Sequence, residues 1–202
     1  KDNTFMNKIP KHDMWFTYFS SIIVGFAIAK LLHALPSIFN KNSFSLTHSL
    51  LFLATLFDCV SWWWGSLGFK IIEVWTGALF ILYIAPFIGL YLVSDLLSSA
   101  NPANIQSWKN HYFEIRFKLW LTQIVIFTFA MIQAFVYTTY FENTEILVIF
   151  IAWFAMIVVA ITSKKEKTHL VISILYFLFI IMLVINDLED ENSLGEFWRL
   201  PS

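Results

Sequence analysis

Apolar residues run along this chain in long unbroken blocks, not in the period-two alternation of a half-buried strand or the one-sided stripe of a soluble helix. Between Glu73 and Asp95, Lys118 and Glu142, Glu145 and Lys164, and Lys167 and Asp187, no Asp, Glu, Lys or Arg occurs. Each gap is about 18 to 23 residues, enough at ~1.5 Å per residue to cross a ~30 Å hydrocarbon layer. Each therefore predicts a transmembrane helix. Two further blocks, 14–35 and 45–67, are as apolar but hold one formal charge apiece, Lys30 and Asp58.

The pattern reads as an all-α fold, a polytopic membrane protein with six transmembrane helices in one bundle. The expected helices cover about 14–35, 45–67, 71–97, 102–140, 145–163 and 168–187, followed by an acidic tail over 188–202. The first block is too long for the apolar core of a signal peptide and lacks a small-residue cleavage pattern, so it is expected to remain as an anchor. A tight turn is expected over 65–70. The connections are too short for a soluble domain, which leaves a single transmembrane domain.

The longest connection is amphipathic. Asn101-Pro102 is a helix-start signal, and Ile105, Trp108, Tyr112, Ile115 and Leu119 then recur at spacings of three and four. Two readings stand: a helix lying in the interface, or a cytosolic extension of the fourth span, making one helix over 102–140.

Composition agrees with this solvent. The 202 residues are 58% hydrophobic, 19% aromatic and 13% charged, about half the ~25% charged residues of soluble domains, and the mean hydropathy is +0.69. A water-soluble enzyme, a disordered tail and a basic nucleic-acid module are excluded. Thirteen basic and 14 acidic residues nearly cancel, so net charge points to no partner and no direct nucleic-acid binding is expected. One Cys permits no intrachain disulfide. With six spans both termini share a side, and basic residues mildly favour the odd loops in the cytoplasm. Ile81-Leu82-Tyr83 and Ile174-Leu175-Tyr176 raise a three-plus-three inverted repeat of the kind transporters use.

Few residues are left to carry chemistry. Asp58 is the costliest, because an Asp at a span centre is penalised by about 2.5–3.5 kcal/mol. With Thr55, Cys59, Ser61 and Ser66 it is a candidate polar face, either lining a permeation path or locking helices together. Lys30 and His33 join Asp58, Cys59 and Ser61 as permeation candidates. Trp62, Trp63 and Trp64 read as interface anchors. Lys109, His111, Glu114, Arg116 and Lys118 fall on the same membrane side as Lys30, and form a candidate docking surface; snorkelling side chains account for them equally.

Catalytic signatures are missing: there is no His-Glu-x-x-His, Cys pair, Gly-x-Ser-x-Gly or phosphate-binding Gly loop. The five His lie near span ends, whereas axial haem ligands sit deeper, so neither cofactor nor metal is expected. Cys59 reads as a structural thiol, and Gln123 and Gln133 as interhelical hydrogen-bonders.

Three stretches carry a resemblance. They are Ile22-Ile23-Val24-Gly25-Phe26-Ala27-Ile28-Ala29-Lys30-Leu31-Leu32, the Trp62-Trp63-Trp64 run, and His111-Tyr112-Phe113-Glu114-Ile115-Arg116. Over about the first 120 residues the chain resembles a set of small bacterial multi-pass membrane proteins with an "IVGLA-x-x-x-LL" first helix, a "WW" second helix and "HYF-x-x-R" before the fourth. Its Lys, Asn, Ile and Phe usage is similar to that of low-GC Bacteroidota genomes, where membrane accessory proteins of this size accompany type VI CRISPR effectors. The resemblance implies a non-enzymatic accessory protein of the bacterial inner membrane, modulating antiviral defence through a protein partner or as a homo-oligomer in the lipid bilayer. The alternative is a small ion channel or transporter with Asp58 in the permeation path.

Overall fold

Backbone amides in hydrocarbon have no water to bond, so each apolar block must satisfy its own hydrogen bonds as a helix. The structure, a computed structural model, describes residues 13–66, 76–137 and 144–189. Among these the elements are α1 (Asp13–Ile38), α2 (Leu46–Ser66), α3 (Gly77–Ser98), a 3-10 turn (Pro102–Asn104), α4 (Trp108–Tyr137), α5 (Thr144–Thr162) and α6 (Glu166–Glu189). Five of the six helices, all but α5, are long and apolar enough to cross a membrane. The sixth, α5, has 19 residues and carries one of the charge-free runs. The protein is thus an all-α, multi-pass membrane protein. The turn expected over 65–70 and most of the acidic tail lie outside the described residues.

Helix ends follow local chemistry. At the start of α3, the Thr76 hydroxyl accepts from the Leu79 N–H at 3.2 Å; at its end Ser99 takes φ 58° and turns the chain out. α1 runs three residues past the expected stop at 35, through Pro36 to Ile38. The two largest shifts are at the starts of α3, at Gly77 and not at 71, and of α4, at Trp108 and not at 102. Asn101 makes no side-chain cap and Pro102 opens only a 3-10 turn, whereas the Ser107 hydroxyl accepts from the Asn110 N–H at 3.3 Å. From Trp108 the amphipathic stretch continues unbroken into the fourth span, with Trp108, Tyr112 and Leu119 buried. It is therefore the start of a long helix packed into the bundle, and does not lie flat in the interface.

In the bundle, α1 packs along α3 and α2, α2 along α6 and α3, and α3 along α4, while α5 sits outermost against α4 and meets α6 only sparsely. The backbones of α1 and α3 run close, but their counterparts α4 and α6 are bridged by long side chains. The two halves therefore do not pack as matching repeats.

Small residues set the closest approach in membranes, where apolar area alone gives helices no reason to associate. Gly89 of α3 is the clearest case, since a Cβ there would overlap Cγ1 of Ile126 on α4. Gly89→Ala should destabilise the folded protein by about 1–3 kcal/mol through overpacking. Adding Ile126→Ala should recover most of the loss. Thermal melting in detergent checks this, and a Gly89→Ala protein that melts like wild type would contradict the α3–α4 contact.

Candidate functional site

Polar side chains inside the bundle gather into separate networks. At mid-span, Asp58 of α2 is 7% exposed and accepts at Oδ2 from the Tyr176 hydroxyl of α6 at 3.2 Å. Gln123 of α4 donates in turn to the Tyr176 oxygen at 3.1 Å. The Trp62 side chain, one helical turn from Asp58, also hydrogen-bonds the carboxyl group. Tyr176 is clasped by rings, Trp153 at 5.0 Å and Trp120 at 6.1 Å between centroids. Three helices thus converge on one acidic side chain, and a buried polar group with its partners in place avoids the desolvation cost of an unpaired one.

Of the neighbours grouped with Asp58, Thr55 and Ser61 lie three residues to either side and so on its side of α2. The Thr55 hydroxyl donates to its own helix at the Leu51 carbonyl, at 2.9 Å. Cys59 is buried and faces Ser94 of α3 at 4.0 Å, Ser61 is half-buried, and Ser66 turns back to the Trp63 carbonyl. Lys30 lies elsewhere, in an ion pair with Asp95 of α3 and over the Tyr91 ring at 5.3 Å; His33 is exposed. Helical geometry explains why Cys59 faces α3 and not Tyr176, because adjacent residues such as Asp58 and Cys59 point about 100° apart.

A second network ties α4 to α6 and the α5 end. His169 is wholly buried. Its Nε2 lies 3.0 Å from the Ser163 carbonyl, which only accepts, so Nε2 carries the proton and, in the neutral ring, Nδ1 is the acceptor. The Tyr112 hydroxyl therefore donates to Nδ1 at 2.7 Å, and the Trp120 indole donates to the Tyr112 oxygen at 3.2 Å.

The third network interlocks the first and third loops at the membrane end formed by the odd loops. Trp108 is wholly buried; its indole donates to the Ser37 carbonyl at 2.9 Å and its backbone N–H to Ser43 O at 3.0 Å. The Ser37 hydroxyl donates to the Pro102 carbonyl at 2.6 Å. His48 stacks on Trp108 at 4.6 Å, wholly buried, with neither ring nitrogen hydrogen-bonded.

The proposed docking residues divide. Lys109 pairs with Glu166 of α6 at 2.7 Å. His111 turns inward, its Nε2 donating to the Leu96 carbonyl at 3.0 Å. Arg116 is half-buried over the Phe113 ring at 5.8 Å, while Glu114 and Lys118 are exposed. The three consecutive tryptophans point three ways. Trp62 meets Phe87 edge-on at 5.9 Å, Trp63 donates to the Ser21 hydroxyl at 2.8 Å, and Trp64 is half-buried.

Gln123 and Gln133 both bond between helices, Gln133 to the Leu82 carbonyl at 2.7 Å. Sequence reasoning missed Tyr112, His169 and Tyr176 as network members. For His169 and Tyr176 the available signal was a Tyr or His inside a charge-free block, whose polar tip must find a partner when buried; for Tyr112 it was its place on the apolar face of the stretch before the fourth block. Among the described residues no cluster of three or more His, Cys, Asp or Glu is placed to hold a metal ion. Compared with family models, with curated proteins and with solved structures, the chain matches none.

Proposed function

We propose that this protein is a non-enzymatic accessory or regulatory component of the bacterial inner membrane, and that it works by docking a partner on the end formed by its odd loops. The observation that carries this reading is the interlocked cap there: Ser37, Ser43, Pro102 and Trp108 bind three chain segments into one surface. Around it stand the exposed side chains Lys41, Lys109, Glu114, Lys118, Lys164 and Lys165. A preassembled charged surface at a membrane boundary suits an acidic cytoplasmic partner, since complementary charge steers association. The link to antiviral defence rests on the sequence resemblance alone.

Under this reading a mild-detergent pull-down brings down a stoichiometric cytoplasmic protein, and Lys118→Glu with Lys165→Glu reduces its recovery. Rim charges act mainly through encounter and are screened by salt, so wild-type recovery should fall as salt is raised and the deficit of the variant should narrow. Recovery of no partner would sink the proposal.

The buried Asp58–Tyr176–Gln123 chain supports a second reading, an ion or proton path through the bundle. Asp58→Asn would then abolish flux in proteoliposomes while leaving partner recovery intact.

A further inference from the structure

α5 and α6 are joined by a short connection over 163–165 yet splay apart below it, because α5 leans on α4. The splay opens a groove of ≈ 570 Å³ on the outside of the bundle. Its floor and walls are Ala152, Ala155 and Val159 of α5 facing Val171 and Leu175 of α6, and its mouth holds Lys167 and Thr168. Val159, Val171 and Leu175 are 45%, 55% and 53% exposed, so the groove opens toward the surroundings of the bundle and not into its core.

Three features of this groove bear on its occupant. Its length is the first: Lys167 and Leu175 are eight residues apart on one helix, about 12 Å at ~1.5 Å per residue. That depth is most of one leaflet, about half of a ~30 Å hydrocarbon layer, and falls well short of what a docked transmembrane helix would line. Its polarity is the second, since the groove is apolar along its run and polar only at the end where the charge-free blocks of α5 and α6 stop. Its charge is the third. Lys167 stands at the mouth with Lys164 and Lys165 close by in the chain, and among the described residues none of them forms an ion pair. Glu166 beside them is engaged by Lys109, which leaves the mouth net positive.

We propose that this groove is a binding site for one anionic phospholipid, with an acyl chain lying against Ala152, Ala155 and Val171 and the headgroup phosphate at Lys167 and Thr168. The alanines are what make room for the chain. Lysine ammonium and threonine hydroxyl both donate to phosphate oxygens. Basic pockets between transmembrane helices at the membrane surface recognise anionic headgroups in this way.

The test is lipid retention by the full chain in native mass spectrometry, from an equimolar mixture of phosphatidylglycerol and phosphatidylcholine with identical acyl chains. A single retained lipid is expected, with phosphatidylglycerol favoured about tenfold; one basic residue near a membrane surface corresponds to about fivefold. Lys167→Gln with Lys164→Gln should reduce the preference to about twofold or less on the same scale. Ala155→Phe fills the groove and should abolish retention of either lipid, while an unchanged melting temperature shows that the bundle stays intact. Should Ala155→Phe lower the melting temperature, Ala152→Leu serves the same purpose. Equal retention of both lipids, a preference untouched by the lysine changes, or a dimer that Ala155→Phe converts to monomer would each overturn the proposal.

Discussion

Tyr176→Phe should destabilise the bundle more than Asp58→Asn. The Tyr176 hydroxyl serves two helices at once, donating to Asp58 and accepting from Gln123. Removing it leaves the carboxyl group held by Trp62 and the Gln123 amide without its interhelical partner. An unsatisfied buried polar group costs about 1–3 kcal/mol, so the expected loss is about 2–4 kcal/mol for the pair. Asp58→Asn keeps an acceptor of the same shape. Its cost should stay under about 1 kcal/mol, the usual size of a single interhelical hydrogen bond in a membrane. Combining Tyr176→Phe with Asp58→Leu removes both ends and should cost less than the sum of the two single changes. Unfolding in mixed micelles measures wild type, Tyr176→Phe, Asp58→Asn, Asp58→Leu and the Tyr176→Phe, Asp58→Leu double variant. Equal losses for Tyr176→Phe and Asp58→Asn would show that the hydroxyl does not organise the site.

At the odd-loop end the corresponding anchor is Trp108, and the neighbouring His48 should respond in the opposite sense. Trp108→Ala removes a wholly buried indole with its bond to Ser37 O and its stack on His48. A loss of about 3–5 kcal/mol is expected, together with faster amide exchange over the 39–45 connection that it anchors. Trp108→Phe keeps the stack and gives up one hydrogen bond, about 1 kcal/mol. His48 is equally buried, yet its ring nitrogens make no hydrogen bond and Ser49 Oγ beside it makes none either. Its polarity therefore works against folding except where the ring approaches the Leu97 backbone, and its ring contacts with Trp108 and His111 favour it. His48→Leu should leave stability within about 1 kcal/mol of wild type or raise it, because relieving an unpaired polar group offsets the lost aromatic contact. A drop of more than about 2 kcal/mol would mean that a nitrogen of His48 has a partner after all.

The same physics separates what could be read along the chain from what could not. Charge-free blocks announced the helices, because hydrocarbon forbids an unpaired backbone and penalises each formal charge regardless of what the helix later touches. The amphipathic face of Trp108, Tyr112 and Leu119 was also legible, but its burial inside the bundle was not. Nor was its start: Asn101-Pro102 carries a good local signal, and Ser107 prevailed because the Trp108 N–H is taken by Ser43 of the first loop and the Pro102 carbonyl by Ser37 at the end of α1. That competition is between residues distant in sequence, which a local cap rule does not see.

By itself, then, the sequence determined the solvent, the helical class and the presence of one costly carboxyl group at mid-span. Only the tertiary structure decided the company each polar group keeps. It gave Asp58 to Tyr176 and Trp62, Cys59 to Ser94, Lys30 to Asp95 and Lys109 to Glu166. It likewise left α5 leaning away from α6, with an open groove between them. The physical reason is that partitioning into a bilayer sums over residues one at a time. Helix association inside it depends instead on which small, aromatic and hydrogen-bonding side chains meet across an interface.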